Sequence, residues 1–178
     1  MSERAFIAVG SNIDAERNVA AALERLDRRV RILAISRFYR TAALGAPGNP
    51  DFLNGAVEIE TELEPRELKR LVLLEVESDL GRERGAGENA PRTIDLDLVL
   101  YGDLVSAEEG LVLPAREILE RAFVALPLLE LEPELVLPGT GRPLAELAAG
   151  LSSSGMTPAE SFNARLRRVE GQKKEEGR

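Results

Sequence analysis

Two aspartates, Asp95 and Asp97, stand two residues apart in the stretch Pro91-Arg92-Thr93-Ile94-Asp95-Leu96-Asp97-Leu98-Val99-Leu100-Tyr101. Apolar residues alternate with them, which predicts a strand. On a strand, residues i and i+2 point to the same side. One face then carries Ile94, Leu96, Leu98 and Leu100 and belongs in a core, while the other carries two carboxylates side by side. Ionised carboxylates that close repel each other, and a divalent cation between or beside them relieves the cost. The chain has no cysteine and no histidine, so the ligands are oxygens, and magnesium is favoured over zinc. Arg92 lies three residues before Asp95, behind a segment rich in glycine and arginine. Arginine beside a cation site suits a polyphosphate substrate. The plainer alternative is an edge strand with a solvated polar face, and alternation by itself favours that one.

The rest of the chain must position this strand. Residues 5–10 predict a buried first strand, Gly10-Ser11-Asn12 a turn, and 18–28 a helix with Val19, Ala22, Leu23 and Leu26 on one face and Asp14 as its N-cap. Residues 31–39 read as β, 40–50 as a loop with Gly45, Pro47, Gly48 and Pro50, and 52–62 as a third strand. Glu64-Pro65 opens a second helix, whose stripe of Leu68, Leu71, Val72, Leu74 or Glu75, and Val76 runs to about Leu80. Residues 81–89 predict a mobile loop ahead of the aspartate strand. Residues 117–121, 122–131 and 144–149 look helical. The order β-α-β-β-α-β is the ferredoxin-like pattern: an α+β fold, an antiparallel sheet with helices on one face, plus C-terminal helical additions. The other face is left for a ligand.

At 178 residues the expectation is one domain over 1–150 and a flexible tail over 151–178, whose end is charged and poor in apolar groups. Hydrophobic content of 44% and charged content of 30% are ordinary for a globular protein. A net charge of −8 argues against a general nucleic-acid binder, so an anionic ligand must meet a local arginine cluster. No apolar run is long enough to span a bilayer, and lack of cysteine fits a cytoplasmic protein. Without histidine, catalysis must rest on metal, arginine, carboxylate and positioning.

Five segments occur in a telling order: Ala8-Val9-Gly10-Ser11-Asn12; Ser36-Arg37-Phe38-Tyr39-Arg40-Thr41; Asp51-Phe52-Leu53-Asn54; Glu77-x-x-Leu80-Gly81-Arg82-x-Arg84; and Ala90-Pro91-Arg92-Thr93-Ile94-Asp95-Leu96-Asp97. Over about residues 5–147 the chain resembles the 6-hydroxymethyl-7,8-dihydropterin pyrophosphokinases of folate biosynthesis. No P-loop signature is present. The resemblance implies transfer of the pyrophosphoryl group of ATP to a pterin hydroxymethyl group, with AMP leaving, on a ferredoxin-like fold. It implies two magnesium ions held by Asp95 and Asp97, and catalytic roles for Arg82 and Arg92. Glu77, Arg82, Arg84, Arg92, Leu98 and Arg121 fall to ATP, as does Arg116 by its position, although its residue type has no match in the family. Thr41, Ala42, Leu44, Phe52, Asn54 and Phe123 fall to the pterin, with the two phenylalanines sandwiching the ring. A monomer is expected, with ATP and the pterin as small-molecule partners and neither nucleic acid nor membrane.

The chain departs from the family in three places and in one spacing. Ala115 stands where a phosphate-contacting histidine is usual, Glu88-Asn89-Ala90 replaces a loop that often carries tryptophan, and Ala42 replaces a proline. The helix before Glu77 is one residue longer. A non-catalytic pterin- or ATP-binding relative is the alternative, and a ferredoxin-like interaction module is a third reading.

Overall fold

The computed structural model describes residues 1–43, 47–83 and 90–167. An antiparallel sheet forms its centre. β1 (Glu3–Ser11) is followed by helix α1 (Ala15–Asp27), and β2 (Arg31–Ile35) and β3 (Tyr39–Thr41) by β4 (Phe52–Thr61). Next come helix α2 (Pro65–Leu68), a π-helical stretch (Lys69–Leu73), helix α3 (Leu74–Asp79) and β5 (Asp95–Tyr101). β1 lies between β4 and β5. β4 pairs at one end with β3 and at the other with β2, so these two act as one bent strand that breaks at residues 36–38. Counted that way, the order is β-α-β-β-α-β and the fold is ferredoxin-like.

Strand alternation divides the apolar residues between two cores. Ala5, Ile7 and Val9, Leu53, Val57 and Ile59, and Ile94, Leu96 and Leu98 face α1 and α2–α3. Leu100 was expected beside Leu98, but it faces the other way with Phe6 and Val99. Phe6 pairs with Leu100 while Ile7 pairs with Leu98, so Val99 is the extra residue of a bulge. Both residues are apolar, so the alternation could not reveal the slip.

The opposite face is not left bare. After two hairpin strands, β6 (Ser106–Glu108) and β7 (Leu111–Leu113), α4 (Glu117–Glu120) and α5 (Ala122–Leu131) lie across it. The hairpin β8 (Val136–Leu137) and β9 (Arg142–Pro143) then leads to α6 (Leu144–Leu147) on the same side. These helices cover Phe6, Ala56 and Leu100, and leave the end around Gly10, Asn54, Asp95 and Asp97 open.

The π-helical stretch has a wider turn that takes one residue more than an α-turn. The buried side thereafter shifts: Leu71 and Leu74 are exposed, while Leu73 and Glu77 turn inward with Leu68, Val72 and Val76. Asp14 precedes α1 as expected, but its side chain makes no capping bond. The tail expected from 151 is also corrected in part. β10 (Thr157–Pro158) pairs with β3, and a helix α7 over 160–167 buries Phe162 and Asn163. Residues 168–178 lie outside the described residues. Among the described residues, no helix is long and apolar enough to cross a membrane.

Candidate active site

A cleft of about 890 Å³ opens at the uncovered end of the sheet, toward the upper end of the ~300–1,000 Å³ usual for small-molecule sites. Its floor is the sheet itself. Pairing of Gly10 with both Asp95 and Asn54 sets the carboxylate and the carboxamide on either side of β1, and Ala8 sits opposite Asp97. Gly10 gives the carboxamide its room: a Cβ there would stand 2.7 Å from Asn54 Oδ1 and force that side chain to turn.

Asp95 is gripped from two sides. Arg92 Nη1 donates to its Oδ2 at 2.5 Å, and Arg82 Nη1 donates to its Oδ1. Arg82 also donates to Glu77 Oε1 at 2.7 Å and to the Ile94 carbonyl at 3.1 Å. Glu77 is 2% exposed, and its Oε1 accepts the Leu96 N–H at 2.8 Å. Burying this carboxylate is tolerable because a guanidinium and a backbone amide both meet it. Asp97 is open to the cleft, yet enough protein surrounds its carboxyl to perturb it. Lost solvation first, and then the charges of Asp95 and Glu77, push it up from 3.8 to about 7. Arg82 acts against the rise, and Glu117 adds to it.

Gly10-Ser11-Asn12, expected as a turn, instead continues the strand: Gly10 and Ser11 pair with Asn54 and Leu53 as the last residues of β1, and Asn12 follows directly. Asn12 Oδ1 accepts the Arg92 N–H at 2.7 Å, the Asn12 N–H reaches the Arg92 carbonyl at 3.1 Å, and Ser11 Oγ donates to the Thr93 carbonyl at 2.6 Å. Ser11 and Asn12 are buried, so these bonds lock the backbone that aims Arg92. Two polar side chains beside a close-approach glycine are the sequence signal for this latch.

At the far side, Asn54 Nδ2 donates to Thr41 Oγ at 2.8 Å. Ala42 and the two phenylalanines, Phe52 from β4 and Phe123 from α5, line the same cleft. Leu98, Arg116 and Arg121 line it as well. Neither Arg116 nor Arg121 makes an ion pair among the described residues, so both guanidiniums can meet an anion. Lys69, Gly110, Val112 and Glu117 also border the cleft, none of them anticipated. Two anticipated residues, Leu44 and Arg84, lie outside the described residues, as do the loop glycines 85 and 87. Arg82 and Glu77 do not line the cleft themselves: Arg82 reaches it through Asp95, and Glu77 through Arg82 and the Leu96 N–H.

The donors suit a hard cation. Asp95 and Asp97 offer oxygen only, and among the described residues no group of three or more acidic side chains gathers to hold a metal alone. Magnesium commonly takes one or two carboxylates and completes its shell with phosphate oxygens and water, so the residues present fit a magnesium nucleotide.

A family model described as 7,8-dihydro-6-hydroxymethylpterin-pyrophosphokinase (HPPK) matches residues 6–133. The chain belongs to this family. It is 42% identical over 162 residues to the 2-amino-4-hydroxy-6-hydroxymethyldihydropteridine pyrophosphokinase of Methylorubrum extorquens, covering 88% of this chain and 99% of that one. It is 39% identical over 162 residues to the folic acid synthesis protein fol1 of Schizosaccharomyces pombe, where 89% of this chain spans only 22% of the relative. Among solved structures, Plasmodium falciparum HPPK-DHPS with pterin and p-hydroxybenzoate superposes with a TM-score of 0.64 at 13% identity, over 84% of this chain and 43% of that one. At that identity the likeness speaks for the fold alone. Membership makes the chain an ATP-dependent pyrophosphokinase of folate synthesis.

Proposed function

We propose that the chain moves the pyrophosphoryl group of ATP to the hydroxymethyl oxygen of 6-hydroxymethyl-7,8-dihydropterin within this one cleft, with Asp95 and Asp97 as the ligands of two magnesium ions. The observation that carries the reading is one cleft lined by the two carboxylates, by Arg92, Arg116 and Arg121, and by the bonded Thr41–Asn54 pair with Phe52 and Phe123. Bound magnesium would neutralise charge on the phosphate oxygens to either side of the attacked phosphorus. The chain's own residues align and shield. Arg92, with Arg116 and Arg121, grips phosphate oxygens in the plane of each guanidinium. Arg82 steadies Asp95 while Glu77 steadies Arg82. Asn54 offers both donors and an acceptor to the pterin edge, and Phe52 and Phe123 stack on its faces, each worth about 1 kcal/mol beyond burial. Arg116, next to Ala115, supplies the cation where the family's histidine is missing. Leu44 and Arg84 belong to the pterin and ATP sets respectively. The protein acts as a monomer in the cytoplasm.

The experiment is AMP release from ATP with magnesium, with and without the pterin. The expected result is AMP that depends on the pterin, with no ADP. Pterin and ATP binding without AMP would replace this reading by that of a non-catalytic relative.

A further inference from the structure

The three-residue strand β3 carries Thr41 and sets the partner of Asn54, yet a strand that short cannot hold its own place. Its support comes from the far end of the chain. β10 adds a strand on its outer edge, with Thr157 opposite Arg40 and Pro158 opposite Tyr39. The Ala159 N–H donates to the Phe38 carbonyl at 2.9 Å. Asn163 is 2% exposed and clasps the same residue twice: its Oδ1 accepts the Phe38 N–H at 2.8 Å, and its Nδ2 donates to the Phe38 carbonyl at 3.0 Å. Phe162 meets the Phe38 ring edge-on, with centroids 5.5 Å apart. The Phe38 ring in turn fills the space over Gly55, where a Cβ would come within 2.8 Å of it. Gly55 follows Asn54 and itself lines the cleft. A contiguous chain of contacts therefore runs from Asn163 through Phe38 to Asn54 and Thr41, and all of its C-terminal part lies beyond the stretch 6–133 matched by the family.

We infer that residues 157–163 are a positioning element of the pterin half of the cleft, and that Asn163 is its positioning residue. The inference rests on the proposed reading of that half as the pterin site. Asn163 touches no substrate; it fixes the backbone of Phe38, and so the separation of Thr41 and Asn54. ATP and magnesium meet β5 and the arginines at the other side, which the clasp does not reach. Losing it should therefore split the kinetics.

The test compares wild type, Asn163→Ala and Asn163→Asp for AMP release, for the KM of each substrate, and for Kd of 6-hydroxymethyl-7,8-dihydropterin with magnesium and a non-hydrolysable ATP analogue present. Asn163→Ala leaves the Phe38 N–H without its acceptor and the Phe38 carbonyl with the Ala159 N–H alone, and the pterin KM and Kd should rise about tenfold, with the ATP KM within twofold of wild type. Asn163→Asp keeps an acceptor for the N–H but, when ionised, sets a charge against the Phe38 carbonyl, so it should recover part of the loss at a pH low enough to protonate it. A lower Tm with unchanged pterin Kd would reduce the clasp to a purely structural role and overturn the inference, as would an equal rise in both KM values. Should the alanine variant not fold, the aspartate variant decides by the same split. If wild type itself yields no pterin-dependent AMP and binds no pterin, the functional reading fails first and takes this one with it.

Discussion

Asp97→Ala abolishes magnesium-dependent AMP formation, by about 1,000-fold or more, while the fold survives. Several kcal/mol of charge stabilisation at the transferring phosphates depend on the cation that this carboxylate would hold. The side chain is exposed and opens onto the cleft, so its removal leaves β5 paired with β1 through the backbone. Circular dichroism and a urea melt check the fold, and turnover near the wild-type rate would remove Asp97 from the metal site. The same carboxyl predicts how pH acts on the metal-free protein. Its pKa is about 7 when folded against 3.8 as the ordinary value. Between these values the folded state holds a proton that the unfolded chain does not, so stability is full below about 4 and falls as pH rises through 7. Magnesium needs the ionised form and relieves the repulsion from Asp95 and Glu77. Millimolar magnesium should thus raise Tm clearly at pH 8 and little at pH 5.5, and Asp97→Asn should lack the difference. An equal rise at both pH values in wild type would count against the shared carboxylate site.

Glu77→Ala is expected to weaken the fold by about 3 kcal/mol, because it leaves the buried Leu96 N–H without its acceptor and removes one of the two carboxylates that hold the Arg82 guanidinium. Glu77 joins α3 to β5 through the Leu96 N–H and to Asp95 through Arg82. Its loss leaves the Leu96 N–H without an acceptor and, among the described residues, Arg82 held by Asp95 and the Ile94 carbonyl alone. In urea the midpoint should fall with an unchanged slope. Glu77→Gln keeps an oxygen for the Leu96 N–H and should lose about a third as much. The sequence resemblance assigned Glu77 to ATP, and the two roles separate cleanly. An unchanged midpoint with a raised ATP KM would return the residue to the nucleotide.

Much of the architecture was legible in the sequence because local rules and tertiary needs agree. A short apolar run marked β1, period-two alternation marked β4 and β5, the apolar spacing of Val19, Ala22, Leu23 and Leu26 marked α1, and element order sufficed for the ferredoxin-like topology. Where they part, the cause is specific. A run of apolar residues hid the bulge at Val99, since either face would accept Val99 or Leu100. A helical stripe is counted at 3.6 residues per turn, so the π-helical stretch at Lys69–Leu73 misled the choice of Leu71 and Leu74 and turned Glu77 inward unannounced. The C-terminal segment looked solvated because its charge outweighs two side chains, Phe162 and Asn163, that dock it.

By itself the sequence determined the chemistry on offer: oxygen ligands two residues apart, arginines flanking them, no histidine, and a motif order shared with one enzyme family. Spacing along a strand is local, so the common face of Asp95 and Asp97 needs no distant partner. Only the tertiary structure decided which groups stand around that pair. Arg82 and Arg92 converge on Asp95 because Glu77 and Asn12, far apart in the chain, each hold one of them. Thr41 meets Asn54 because β3 is held between β4 and the last strand. Such contacts depend on strand register and on a bulge, which residue types 80 or 125 positions apart do not encode one by one.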